Sequence, residues 1–166
     1  MINKSIHRNI ILMGVSGSGK TTVGMRLAQM LKMPFIDGDD YHTTANRQKM
    51  AEGKPLNDID RKGWLKTLHE VLMNNKNTGC VMACSALKAS YRQKLSKNTR
   101  SIFVFLKASY DDILKRMEKR QDHFMPTSLL ASQFKTLEEP KNAIRVDATQ
   151  TAETICMQII DQINEL

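Results

Sequence analysis

The residues with the clearest chemical purpose run Gly14-Val15-Ser16-Gly17-Ser18-Gly19-Lys20-Thr21. They fit G-x-x-x-x-G-K-[ST], a spacing suited to gripping the phosphates of ATP. Gly14, Gly17 and Gly19 accept positive φ and carry no Cβ, so successive backbone N–H groups, through to Thr22, can curl around phosphate oxygens. Lys20 brings a mobile point charge to the β- and γ-phosphates, and the Thr21 hydroxyl suits Mg²⁺. Phosphoryl transfer further requires a held metal and an acceptor oxygen in line with the γ-phosphate. Asp37 and Asp39 lie two apart at a strand end and point the same way. Asp37 can hold Mg²⁺, while Asp39 takes or orients the proton of an acceptor hydroxyl. In isolation, Asp-Gly-Asp would read as ordinary turn chemistry.

Other candidates surround these. Arg116 and Arg120 are four apart on one helix face beside a polar break, placed to swing onto phosphates as a lid closes. The bland reading of the same pair is a solvated basic helix end. His123, in His123-Phe124-Met125-Pro126, lies at the turn of that lid. Arg61, Lys88 and Arg92 are candidates for recognising an acidic substrate, since a planar guanidinium grips a carboxylate in bidentate fashion. Ser85 offers a hydroxyl at a strand terminus, and His42, Asn46 and Lys49 suit hydrogen bonding to a polyol. His69, inside a helix, is structural, and the eleven methionines are core filler.

The elements that must position these groups follow from periodicity. Apolar runs at 10–13, 35–37, 80–84, 102–106 and 143–147 predict five strands. Helical patterns lie between them at about 21–32, 46–52, 88–95, 111–119 and 129–137, with a closing helix over 151–166. A longer helix capped by Asp60 carries Trp64, Leu65, Leu68 and Leu72 on one face. Alternation of strands and helices predicts an α/β fold with a parallel sheet covered on both faces. Residues 40–77 exceed what a crossover needs and form a candidate substrate-binding insertion.

Composition bounds the rest. With 166 residues, 41% hydrophobic and 25% charged, the chain suits one domain spanning 1–166. No apolar stretch approaches the ~20 residues that span a bilayer. The polar start leads straight into the first strand, so the expectation is a cytoplasmic protein without a signal peptide or membrane partner. The three cysteines lack metal-ligand spacing and read as packed thiols. A net charge of +8 invites a nucleic-acid reading. The basic residues are scattered and not interleaved with aromatics, which favours instead an enzyme that gathers ATP and an anionic substrate.

On these residues the chain resembles the gluconate kinases, a group of small P-loop kinases. The resemblance rests on the phosphate loop, Asp37-Gly38-Asp39-Asp40-Tyr41-His42, Lys49-Met50-Ala51-Glu52-Gly53-Lys54-Pro55-Leu56 and Asp58-Ile59-Asp60-Arg61 with Trp64-Leu65. Further on it rests on Cys84-Ser85-Ala86-Leu87-Lys88, Tyr91-Arg92, Arg116, Arg120, His123-Phe124-Met125-Pro126, Ser132-Gln133-Phe134 and Leu137-Glu138-Glu139-Pro140. It implies a P-loop NTPase fold similar to nucleoside-monophosphate kinases, with a five-stranded parallel sheet and a mobile lid at about 116–135. It also implies Mg²⁺-dependent phosphorylation of D-gluconate by ATP at the 6-hydroxyl, commonly by a homodimer. Thr43 and Gly63 stand where the family usually has proline, which puts the rigidity of the insertion in question. The rival expectations are a shikimate- or nucleoside-monophosphate-kinase-like enzyme and a nucleotide-dependent RNA-binding protein.

Overall fold

The computed structural model describes residues 6–119 and 126–166. Its five strands are β1 (Asn9–Met13), β2 (Phe35–Asp37), β3 (Val81–Ala83), β4 (Ser101–Lys107) and β5 (Ile144–Asp147). All pair in parallel, in the order β2-β3-β1-β4-β5, with Ile11 beside both Met82 and Phe103. The chain runs outward from β1 to β2, returns through β3, then crosses to β4 and β5 on the far side. The crevice beyond the carboxyl ends of β1 and β3 is therefore where the strand order reverses, the usual ligand position in such sheets.

Alternation along β1 divides the core. Ile10 and Leu12 face a layer containing Val23 and Leu27 of α1 (Lys20–Leu31) and Ile155 and Ile159 of α7 (Ala152–Asn164). Ile11 and Met13 face Trp64, Leu65 and Leu68 of α3 (Asp58–Asn74) and Leu95 of α4 (Ala89–Ser96). Asn9 is fully buried yet satisfied. Its amide donates to the carbonyls of Leu72 (2.9 Å) and Thr99 (2.8 Å), and its oxygen accepts from the Cys80 N–H (3.1 Å). Cys80, Cys84 and Cys156 are buried free thiols, and burial pushes Cys80 and Cys84 up to about 12.

Three local details depart from the sequence reading. Asn57, rather than Asp60, caps α3, and Asp60 closes the capping box from the third helical position. Residues 38–41 form a 3₁₀ turn, because the Asp37 carboxylate accepts the Asp39 N–H at 3.0 Å. The helix expected at 46–52 is α2 (Thr44–Ala51), begun by the Thr43 hydroxyl accepting from the Asn46 N–H at 3.1 Å. Thr43 thus supplies a side-chain cap, so that end of the insertion is anchored without proline. Gly63 lies exposed within an unbroken α3, where an added Cβ would meet nothing within 4 Å.

Gly63→Ala is therefore expected to raise the unfolding free energy by about 0.5–1 kcal/mol, because it removes backbone entropy from the unfolded chain without a clash. Urea titration of the two proteins measures this. A lower midpoint in the alanine variant would contradict it.

Candidate active site

The phosphate loop is built by close approach. Gly14 has φ 146°, and a Cβ there would sit 2.9 Å from the Leu106 carbonyl oxygen. Gly17 (φ 80°) and Gly19 (φ 98°) complete the curl. Beneath it, Val15 packs with Leu87, Ile113 and Leu130, the last two from α5 (Tyr110–Lys119) and α6 (Thr127–Thr136). Above it, α1 opens at Lys20 with no side-chain cap, which leaves its first N–H groups free for an anion.

In this structure several polar groups of the loop are bonded to the protein itself. The Lys20 ammonium donates to the carbonyl oxygens of Gly14 (2.9 Å) and Val15 (2.8 Å). Burial lowers its pKa, partly opposed by Asp39, Cys84 and Asp37. The Ser16 N–H donates to Gln133 Oε1 at 2.6 Å, across 117 residues of chain. Arg116 reaches the carbonyls of Gly17 (3.3 Å) and Ser18 (3.2 Å) and also that of Ala148. The Ser18 hydroxyl is buried with no partner among the described residues.

Lys20, Thr21, Thr22, Asp37, Asp39 and Arg116 share one cleft of ≈ 320 Å³, with Ser16, Gly17 and Gly19 along its wall. This joins the groups singled out for phosphate, metal and acceptor. Burial raises the pKa of Asp37, and the carboxylates of Asp39 and Asp40 push the same way. Among the described residues, no group of three or more His, Cys, Asp or Glu could hold a metal by itself. The Thr21 hydroxyl and Asp37 instead suit an ion that arrives on phosphate oxygens and keeps several waters.

The residues singled out for an acceptor, Ser85, Arg61, Lys88, Arg92, His42 and Lys49, are not part of that cleft's lining, and at the carboxyl end of β3 the Ser85 carbonyl accepts the Gly14 N–H at 3.2 Å. Here charges are paired internally. Lys49 meets Asp60 at 2.6 Å and Lys88 meets Asp58 at 3.0 Å. Arg61 donates to Leu56 O (2.5 Å) and to the Tyr91 hydroxyl (3.3 Å), which itself donates to Asp58. Arg92 is buried and donates to the carbonyls of Ala86 (2.7 Å), Leu87 (3.1 Å) and Glu138 (2.8 Å). Its guanidinium pins the turn after β3, in which Ala86 is held left-handed at φ 44°. His42 stacks on Trp64, with ring centroids 4.2 Å apart. Arg120 and His123 lie outside the described residues. Sequence reasoning missed the Gln133–Ser16 bond and the part Tyr91 and Asp58 play in pairing the basic residues. No periodicity signals contacts between such distant positions.

A glycine-lined phosphate cradle at the switch point of a parallel sheet, with Asp37, Asp39 and Arg116 in the same cleft, defines a P-loop kinase of small molecules. The family model described as shikimate kinase matches residues 16–164. The thermosensitive gluconokinase of Escherichia coli (strain K12) is 45% identical, over 84% of this chain and 78% of its own. The thermoresistant gluconokinase of the same strain is 40% identical, over 96% and 95%. A crystal structure of a gluconokinase from Sinorhizobium meliloti 1021 superposes with TM-score 0.89 at 41% identity, covering 98% of this chain and 94% of that one. The chain belongs to the shikimate-kinase family of P-loop proteins and, within it, to the gluconokinases.

The raised pKa of Asp37 has a sign that stability can report. Its ionised form is disfavoured in the folded protein, so the penalty is present above the folded pKa and vanishes as pH falls to the unfolded value. Unliganded Asp37→Asn, which keeps an oxygen for the Asp39 N–H, is expected to melt above the parent at pH 7. The gap should close towards pH 4. A gap that is absent at pH 7, or that widens on acidification, would contradict the burial of this carboxylate.

Proposed function

We propose that this chain transfers the γ-phosphoryl group of ATP to the 6-hydroxyl of D-gluconate, giving 6-phospho-D-gluconate and ADP. The observation that carries the reading is the single cleft shared by Lys20, Thr21, Asp37, Asp39 and Arg116. The names and near-full coverage of the gluconokinase relatives support the choice of acceptor.

Each residue then has a step. Lys20 leaves the Gly14 and Val15 carbonyls for the β- and γ-phosphates, exchanging neutral acceptors for charged ones. The amides of Gly17 and of Gly19 to Thr22 hold the remaining oxygens, the Gly14 and Ser16 N–H groups being bonded to Ser85 and Gln133. Thr21 and Asp37 would hold Mg²⁺, which when bound neutralises charge on the phosphates. Asp39 takes the proton of the 6-hydroxyl as that oxygen bonds to the γ-phosphorus and ADP departs. Arg116 stabilises charge on the transferring group, with Arg120 beside it in sequence. Arg61 and Lys88, with Ser85 and Lys49, face the sugar acid, whose carboxylate would replace Asp58 as partner to Lys88, and His123 is assigned to the substrate from its place in the sequence alone. Arg92 serves the same surface by fixing its turn. The reading extends to a lid over 116–135 and to a cytoplasmic homodimer with no nucleic-acid partner. Among the described residues no helix is long and apolar enough to cross a membrane.

The shikimate-kinase family model favours one second reading, a different small hydroxy acid as acceptor. ADP release with ATP and Mg²⁺ over gluconate, related aldonates, shikimate and nucleoside monophosphates decides between them. Turnover should be largest with gluconate, and preference for another acceptor would overturn the substrate assignment. Lys20→Ala should lose both nucleotide binding and turnover. Asp39→Asn should lower kcat by about 10²–10⁴ while ATP affinity holds. Undiminished turnover in that variant would remove Asp39 from its role.

A further inference from the structure

His42 entered the sequence reading as a hydrogen-bonding partner for a polyol, but its surroundings give it other work. Its side chain is only 5% exposed. One ring face lies flat on Trp64, at an interplanar angle of 14°, and the Trp64 indole N–H donates to Gly38 O at 2.7 Å. The ring is thereby locked to the 3₁₀ turn that carries Asp39.

The protonation pattern follows from Asn46, itself 5% exposed. Asn46 Nδ2 lies 2.9 Å from the Asp60 carbonyl oxygen, which can only accept, so the amide nitrogen faces it. The second hydrogen on the same nitrogen meets His42 Nδ1 at 3.4 Å. Nδ1 must then be a lone pair, and the ring proton sits on Nε2. Nε2 faces Asp39, 3.9 Å from its Oδ1. Burial lowers the His42 pKa, which keeps the ring neutral. The gap to Asp39 is longer than a hydrogen bond, and the exposed Asp39 side chain is free to close it.

We propose that His42 is a positioning residue. Its neutral Nε2–H, aimed by Asn46 and the Asp60 carbonyl, orients the Asp39 carboxylate towards the acceptor hydroxyl. This rests on the reading of Asp39 as proton acceptor. Lys20 and Asp37 are the charged neighbours of the same carboxylate, and Arg61 and Arg47 are those of the ring.

Two measurements test the inference. Long-range ¹H–¹⁵N spectra of the unmodified chain, which has four histidines, report the His42 tautomer, with His42→Phe supplying the assignment. An Nε2–H ring is expected, and an Nδ1–H ring would overturn the relay. Kinetics supply the second. His42→Phe keeps a ring against Trp64 but has no N–H, and should lower kcat about 10- to 100-fold, the size of other outer-shell effects. KM for the acceptor and affinity for an ATP analogue should stay as they were. His42→Gln, which restores an N–H donor, should recover much of the loss. A raised KM with kcat intact would make His42 a substrate contact, and equal losses in Phe and Gln would make it packing alone. Either result overturns the proposal. If gluconate is not the acceptor, the kinetic comparison applies to whichever acceptor turns over. The tautomer needs no acceptor at all, so failure of the substrate reading stays distinct from failure of this one.

Discussion

Between Met13 and Lys20 the backbone must reverse while turning its N–H groups towards one point, and no side chain can be tolerated where it passes the end of β4. Gly14 meets that constraint, since a Cβ there would collide with the Leu106 carbonyl and its φ is in a range that side chains avoid. Much of the surrounding structure serves to hold the turn in place. Val15, Leu87, Ile113 and Leu130 exclude water from its underside. Gln133 takes the Ser16 N–H from one direction, and Arg116 ties the carbonyls of Gly17 and Ser18 from another. A preformed cradle of this kind needs little reorganisation when charge arrives, which is where electrostatic catalysis gains most.

The site meets the cost of its own charges by pairing them. Lys20 rests on two carbonyls, Lys49 on Asp60 and Lys88 on Asp58. These partners are weaker than, or exposed relative to, what an anionic ligand would offer. Under the proposed assignment, binding is an exchange of partners rather than the burial of bare ions, which would be far more expensive. Arg92 and Trp64 hold the turns after β3 and β2, so the groups that face the crevice are carried on braced loops.

Much of this was legible in the chain. Five apolar runs became five strands, and the phosphate motif with Asp37 and Asp39 came together in one cleft. Those features are local, so spacing encodes them. The cap of α3 was misplaced because Asn57 and Asp60 both have capping chemistry, and only the reciprocal bonds distinguish the cap from the third position. Arg92 suited a carboxylate by type, yet folding brings three carbonyls to it from two separate segments. Nothing in the order of residues announces such a meeting. His42 was singled out as a hydrogen-bonding partner for a polyol, while its burial depends on Trp64 and Asn46 closing around it.

The shikimate-kinase family model and the gluconokinase relatives each match nearly the whole chain. The claim beneath the proposed function is that Lys20 and the loop amides together receive the triphosphate. A crystal structure with a non-hydrolysable ATP analogue, Mg²⁺ and gluconate tests this most directly. The account predicts phosphate oxygens within hydrogen-bond reach of the loop amides and Lys20 released from the Gly14 and Val15 carbonyls onto them. Lys20 still bonded to those carbonyls, with the nucleotide bound elsewhere, would contradict it.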